Sequence, residues 1–318
     1  MRKSMLNFKN KKILLTGGHG FLGRKVYEDL LKAGAKAGNI SRPRSVQFDF
    51  RLAGNCVRAV KNQDLVIHLA ANVGGIGYNQ AHPGQLFYDN AIMGINLIEA
   101  ARRAGVKKFV QVGTVCAYPK FPPHIPFIEE DIWTGYPEET NAPYGNAKKM
   151  LLDMLKAYRR EYGLNGIYLI PTNLYGPNDN FNPASSHVIP ALIKKFVEAV
   201  KNHSKEVVVW GTGKASREFL YVDDAARAIV QATLKYDKPE PVNLGSAKEI
   251  KIRQLVPMIS KMVGFKGRIV WDKSKPDGQP RRKLNVSRAK KEFGFVSKID
   301  FREGLKNTIV WYLGQTKS

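Results

Sequence analysis

The chain reads as an α/β protein: a doubly wound parallel sheet with a smaller C-terminal α/β lobe. Three observations predict this. Short apolar runs alternate with segments of 3.6-residue periodicity as far as Pro171, the pattern of strands buried on both faces by helices. A glycine-rich turn joins the first run to the first periodic segment. After Tyr175 the texture changes, and Gly176 to Ser186 is rich in Pro, Asn and Ser, as a loop would be.

Taken in order, Lys11 to Gly18 (KKILLTGG) is a buried strand running into glycines. Phe21 to Ala33 has helical spacing through Phe21, Leu22, Val26, Leu30 and Leu31, with Gly34 as a stop. Lys36 to Ser45 holds at most a short second strand. Asp64 to Ala71 and Lys108 to Gly113 are further buried strands, separated by a long amphipathic helix over Gln85 to Ala104. Tyr144 to Tyr162 is another helix, and Gly166 to Pro171 the next strand. Beyond the loop come a helix (Val188 to Val200), a strand (Glu206 to Trp210) and a helix (Val222 to Leu234). Val242 to Gly245 suits a strand returning to the first sheet, and Lys273 to Lys283 is polar. We expect a nucleotide-binding unit over 1–175, completed by about 215–246 and a helical region at 287–313. Segments 176–214 and 247–286 would form the substrate lobe.

The glycine turn, Thr16-Gly-Gly-His-Gly-Phe-Leu-Gly23, places Gly17, Gly20 and Gly23 in the spacing G-x-x-G-x-x-G between strand and helix. The first glycine allows the tight turn, the second lets the backbone approach a pyrophosphate, and the third permits close helix–strand packing. This is a dinucleotide-binding, Rossmann-type signature. An acid after the second strand would hold the ribose 2′-hydroxyl of NAD. No Asp or Glu occurs from Leu30 to Phe48, where Arg42 and Arg44 stand instead. A guanidinium suits a 2′-phosphate by charge and by bidentate geometry, so NADP (NADPH) is the expected cofactor. Asp49 lies beyond the ribose position and is expected to meet the adenine.

Composition excludes several classes. Across 318 residues, 43% are hydrophobic and 25% charged, ordinary globular values. No apolar run reaches the roughly 18 residues of a membrane span, and the basic start, Met1 to Asn10, lacks the apolar core of a secretory signal. Cys56 and Cys116 alone make neither a metal pattern nor a disulfide framework, so no metal is expected and a cytoplasmic setting is. The charge is unusual: 51 Lys and Arg against 27 Asp and Glu, a net +24. The basic residues are spread along the chain, with only short dense patches at Lys9–Lys12 and Arg281–Lys283. That describes a solvated lysine-rich surface better than a nucleic-acid footprint.

Tyr144 and Lys148 stand four apart at the start of a helix and share one face. A free phenol has a pKa of about 10. A neighbouring cation is expected to lower it and make Tyr144 an acid–base group, while Lys148 also holds a cofactor ribose. Thr114, at the end of the preceding strand, is placed to polarise a substrate oxygen.

With these residues in place, the chain resembles the extended short-chain dehydrogenase/reductases, and among them the GDP-L-fucose synthase family. Members of that family are GDP-4-keto-6-deoxymannose 3,5-epimerase/4-reductases. The resemblance rests on HLAANVGGI (68–76), GTVCAYPK (113–120), TNAPYGNAKK (140–149), PTNLYGPNDNF (171–181), SSHVIPALIKKF (185–196), VVVWGTG (207–213), REFLYVDDAA (217–226) and DGQPRR (277–282). It implies an NADP lobe, a small substrate lobe and a homodimer joined through helices. It also implies that Tyr144 protonates the C4 oxygen with Lys148 as its partner, and that Thr114 replaces a usual serine. Cys116 and His187 match the pair that moves protons at C3 and C5. Asn173, Lys195, Trp210, Arg217 and Arg282 fall where the GDP-sugar is contacted, Lys195 standing where arginine is common. The expected cofactor set is Gly17, Gly20, Phe21, Leu22, Gly23, Arg42, Arg44, Asp49, Ala70, Ala71, Lys148, Pro171, Asn173, Leu174 and His187.

The chemistry suits these residue types. A C4 ketone acidifies neighbouring C–H bonds, and inverting a centre needs one group to remove a proton and another to return one on the opposite face. A thiol and an imidazole both titrate near working pH. In an extended strand end Cys116 would point to the same side as Thr114. A 4,6-dehydratase would need an acid–base carboxylate pair after the hydroxyl, but Val115, Cys116 and Ala117 follow Thr114. A 4-epimerase or simple 4-ketoreductase of the same superfamily remains an alternative, as does, more distantly, an RNA-binding member suggested by the charge.

Overall fold

The computed structural model describes residues 6–275 and 277–316. The basic start considered above therefore lies partly outside the described residues. The chain opens with β1 (Ile13–Thr16), α1 (Phe21–Lys32), β2 (Ile40–Ser41), α2 (Ala53–Val60), β3 (Leu65–His68), α3 (Ile76–Ala81), α4 (Pro83–Arg103) and β4 (Lys108–Val112). Then come α5 (Ala142–Tyr162), β5 (Gly166–Pro171), β6 (Asn173–Tyr175), α6 (Val188–Lys201), β7 (Glu206–Trp210), β8 (Ser216–Tyr221), α7 (Val222–Lys235) and β9 (Val242–Leu244). The remainder forms β10 (Glu249–Lys251), α8 (Ile252–Val263), β11 (Arg268–Asp272), β12 (Arg281–Arg282), α9 (Ser287–Phe293) and α10 (Phe301–Gln315).

Six strands form one parallel sheet in the order β2-β1-β3-β4-β5-β9, a Rossmann-like α/β fold. Alternate strand residues feed two cores. Ile13, Leu15, Val110 and Leu169 pack towards α1 and α7, with Val26, Leu30 and Ile229. Leu14, Val66, Phe109 and Ile170 pack the other way, against α2, α4 and α5 through Cys56, Leu97, Leu151 and Leu155. A third core gathers Ile193 and Phe196 of α6, Val207 of β7, Leu255 and Ile259 of α8 and Ile309 of α10. Among the described residues no helix is long and apolar enough to cross a membrane.

Strand order reverses beside β1, since β2 lies on one side of it and β3 on the other. Ligands of open α/β sheets bind at such a switch point, beyond the carboxyl ends of the strands. The two strand ends there are tied together. Thr16 Oγ1 accepts from Leu69 N and Ala70 N, both at 3.2 Å, and lies 2.7 Å from buried His68 Nδ1.

The smaller sheet centres on β8, which pairs antiparallel with β10 and parallel with β12 and β6. Its Glu218 is fully buried. The carboxylate accepts from Leu284 N at 2.6 Å and Ala247 N at 2.7 Å, and the backbone oxygen accepts from Thr172 Oγ1 at 3.1 Å and Asn173 Nδ2 at 2.8 Å. One residue thus joins the end of β5, the 246–247 turn and the arm carrying β12. Glu218→Ala strands two buried donors, each costing roughly 1–3 kcal/mol. We expect a loss of about 2–6 kcal/mol in urea unfolding, and an unchanged midpoint would refute this role.

Candidate active site

A cleft of about 1550 Å³ runs from the glycine turn to the β7–α8 region. Single ligand pockets span roughly 300–1,000 Å³, so this volume suits two ligands end to end. At one end Gly17 has φ +68°, and a Cβ there would lie 2.9 Å from Ala70 N. A Cβ at Gly23 would overlap Gly17 O. The turn therefore folds back on its own helix, with open cleft beyond, and the N-terminus of α1 faces it. Phe21, Leu22, Ala70, Ala71, Pro171 and Leu174 line the same end.

The three polar residues expected around the adenosine part diverge. Arg44 lines the cleft. Arg42 is not among the lining residues; its guanidinium stacks 3.4 Å from the Tyr27 ring centroid, and its carbonyl meets His19 Nε2 at 2.9 Å. Asp49 lines the cleft, but Arg51 grips its carboxylate at 2.8–3.1 Å and holds it below the usual carboxylate range. Arg51 also reaches Asp89, which accepts from Asn72. Neither His19 nor Arg51 stands out in the sequence: the His19 partner, Arg42 O, comes from another element, as does Asp89, the second partner of Arg51.

Mid-cleft, residues 115–117 form a tight 3₁₀ turn, not an extended strand end. Thr114 caps it, its Oγ1 accepting from Cys116 N at 3.1 Å. The turn, rather than strand alternation, brings Cys116 to the cleft beside Thr114. The Tyr144 phenol lies near the Thr114 hydroxyl. The expectation that a cation lowers the Tyr144 pKa is corrected here: burial pushes the phenol up, the nearby Cys116 adds to this, and the Thr114 hydroxyl opposes it. Lys148 is 2% exposed. Burial alone pulls its ammonium down to about 8, and its Nζ donates to Val112 O at 3.4 Å. His187 caps the N-terminus of α6 and lines the cleft. Burial, then Arg282, lowers its pKa, so the imidazole is neutral.

At the far end, the β8–β12 register sets Arg217 beside Arg282. Arg217 donates to Ser216 O and Asp277 O; Arg282 donates to Gln279 Oε1 at 3.0 Å, to Asn173 Oδ1 at 3.4 Å and towards Cys116 Sγ at 3.7 Å. Among the described residues no carboxylate forms an ion pair with either. Burial, then Arg282, pulls the Arg217 guanidinium down to about 9. A half-buried and a buried guanidinium side by side, without a carboxylate ion pair, form a seat for a polyanion such as a diphosphate. Lys195, whose Nζ donates to Val208 O at 2.8 Å, and half-exposed Trp210 line this end. Arg281 instead pairs with Glu249, so the basic triplet 281–283 is not a continuous surface patch.

Asp179 is a further cleft residue that motif reading passes over. Its Oδ2 is buried without a partner, and burial pushes the carboxyl up to about 7. Among the described residues no cluster of three or more His, Cys, Asp or Glu could hold a metal ion.

The fold and cleft define an oxidoreductase-type dinucleotide enzyme, and the comparisons agree. Residues 13–245 match the NAD dependent epimerase/dehydratase family, and the chain belongs to it. Within that family it is similar to GDP-L-fucose synthase 1 of Arabidopsis thaliana, 40% identical over 98% of this chain and 95% of that protein. The crystal structure of a GDP-L-fucose synthetase from Naegleria fowleri bound to NADP superposes with a TM-score of 0.88 at 30% identity, covering 99% and 96% of the two chains. A GDP-6-OMe-4-keto-L-xylo-heptose reductase from C. jejuni superposes with a TM-score of 0.90 at 27% identity, covering 98% and 100%.

Lys148 is charged and buried without a counter-ion, which costs stability. Its folded pKa of about 8 lies below the unfolded value of 10.5, so the penalty is fully present below pH 8 and disappears as pH rises towards 10.5. Lys148→Met should therefore stabilise the ligand-free protein at pH 7 by about 2–3 kcal/mol. That difference should shrink between pH 8 and 10. Equal unfolding midpoints at pH 7 would contradict the assignment.

Proposed function

We propose that the protein catalyses NADPH-dependent epimerisation at C3 and C5 and reduction at C4 of a GDP-4-keto-6-deoxy sugar, giving GDP-L-fucose or a close relative. One observation carries this reading: Thr114, Cys116, Tyr144, Lys148 and His187 line one cleft that also takes in the glycine turn and the adjacent Arg217 and Arg282. The names of the similar proteins support the same substrate class.

The glycine turn, with the space left at Gly17 and Gly23, fits a dinucleotide diphosphate. NADPH would supply a hydride for C4. Arg44, which lines the cleft, would meet a 2′-phosphate, and Arg42 would join it on leaving Tyr27. Lys148 binds a ribose and keeps positive charge beside Tyr144. Tyr144 donates a proton to the C4 oxygen, and Thr114 donates a second hydrogen bond there. The phenol is protonated at working pH, as a donor to this oxygen must be. Cys116 and neutral His187 remove and return protons at C3 and C5. Arg217 and Arg282 hold the substrate diphosphate with Asn173, Lys195 and Trp210 around it.

We read residues 1–175, with 215–246 and 287–313, as the cofactor lobe, supported by β9 lying beside β5. We read the enzyme as a cytoplasmic homodimer; two free cysteines and exposed Phe87 and Tyr88 on α4 support this.

Incubation with NADPH and a panel of 4-keto nucleotide sugars, with product stereochemistry read by NMR, tests the reading. Tyr144→Phe should slow reduction by roughly 10²–10⁴ while leaving NADPH binding nearly unchanged; normal turnover would remove Tyr144 from its role. Cys116→Ser should suppress deuterium exchange at C3 and C5 yet still consume NADPH slowly, giving a reduced, unepimerised sugar. Fully epimerised product from Cys116→Ser would show that the thiol only packs.

A further inference from the structure

Asn79, on α3, is 3% exposed and lines the cleft. Its Nδ2 donates to Asn141 Oδ1 at 3.0 Å, while its Oδ1 is buried with no partner. A primary amide can turn over and exchange its donor and acceptor ends, so the question is what fixes this one. Asn141 Nδ2 donates to Glu138 Oε2 at 2.6 Å. Thr140 donates to the same carboxylate, through its backbone N–H to Oε1 at 3.3 Å and through its hydroxyl to Oε2 at 2.6 Å. A carboxylate only accepts, so Asn141 must present its NH₂ to Glu138 and its oxygen to Asn79. Asn79 must then present its NH₂ to Asn141. The oxygen left without a partner on this cleft-lining side chain is an acceptor by necessity.

The relay ends beside the chemistry. Asn141 caps α5, whose first turn carries Tyr144, and Asn141 O accepts from Gly145 N at 2.8 Å. On its other side α3 approaches the arginine pair: a Cβ on Gly278 would lie 3.3 Å from both Ile76 Cδ1 and Arg217 Nη2. Asn79 therefore belongs to the sugar end of the cleft. A buried acceptor without a partner rejects a ligand that cannot donate to it, because the oxygen would stay desolvated and unpaired.

We propose that Asn79 Oδ1 is a specificity-determining acceptor for a ring hydroxyl of the bound hexose, held in that state by Glu138 acting through Asn141. This rests on the reading of the substrate as a GDP-4-keto sugar. Asn79 is then a binding residue, and Glu138 and Asn141 are positioning residues.

The test is steady-state kinetics with NADPH and GDP-4-keto-6-deoxymannose, alongside NADPH affinity by fluorescence titration. Asn79→Leu keeps the size and removes the acceptor. It should raise the KM for the sugar about tenfold with kcat and NADPH affinity nearly unchanged. Glu138→Gln frees the amides to turn over and should raise the same KM by a smaller factor. The double variant should be no worse than Asn79→Leu alone, since both changes act on one hydrogen bond. A GDP-4-keto sugar lacking the hydroxyl should show the same KM with wild type and Asn79→Leu. If Asn79→Leu does not fold, Asn79→Ala takes its place. An unchanged KM in a folded variant, an additive double variant, or an equal KM penalty on the deoxygenated sugar overturns the proposal. Wild type inactive on every GDP-4-keto sugar overturns the functional reading and this inference with it, whereas an active wild type with an indifferent Asn79 variant overturns the inference alone.

Discussion

The buried carboxylate of Glu218 is the constraint around which the two halves of the cleft assemble. A charged group at the centre of a small sheet is costly unless fully hydrogen-bonded. Here backbone amides of Leu284 and Ala247 supply that compensation, and burial still pushes the carboxyl up to about 6. Those amides belong to the chain segments flanking β10 and β12, so solvating one carboxylate also fixes the arm that bears Arg282. The same residue's carbonyl receives Thr172 and Asn173, at the end of β5. The two ends of the cleft therefore share a single node.

The cleft itself is built against stability. Lys148, Arg217 and Arg282 are withdrawn from water with no carboxylate partner among the described residues, and burial lowers the basicity of Lys148 and Arg217. Carboxylates that could neutralise them are engaged elsewhere: Asp277 with Thr212, Asp49 with Arg51, Glu138 with Thr140 and Asn141. Such an arrangement persists when its compensation comes from outside the chain, and two diphosphate-bearing ligands bring that charge. The apparent excess of +24 is thus partly a surface property and partly a feature of the site.

Much of the large sheet and of the chemistry was legible in the residues. Strands of four to six residues buried on both faces leave continuous apolar runs such as LVIH in β3, and the glycine turn carries its geometry in its spacing. The misses have local causes. The α2 segment, AGNCVRAV, mixes Ala and Arg with the weaker helix formers Gly, Asn, Cys and Val, and Cys56, Ala59 and Val60 pack into the second core. The α8 segment contains Pro257, which reads as a breaker, yet Leu255, Val256 and Ile259 bury one face in the third core. β8 gains its identity from three partners distant in the chain.

Residue type and local spacing alone determined the fold class, the tight glycine turn, and the placing of Tyr144 and Lys148 on one helical face. These depend on neighbours within a few positions, where backbone periodicity and glycine freedom act directly. Tertiary structure decided everything that depends on burial and long-range register. It turned Cys116 towards the cleft by a capped 3₁₀ turn, drew Arg42 onto Tyr27, and set Arg217 beside Arg282 across two strands some 65 positions apart. It raised the Tyr144 phenol instead of lowering it, because desolvation depends on what surrounds a group, and no spacing rule contains that. The acceptor at Asn79 belongs to the same class: its orientation is dictated by a carboxylate 59 residues away, through an amide that meets it only in the folded chain.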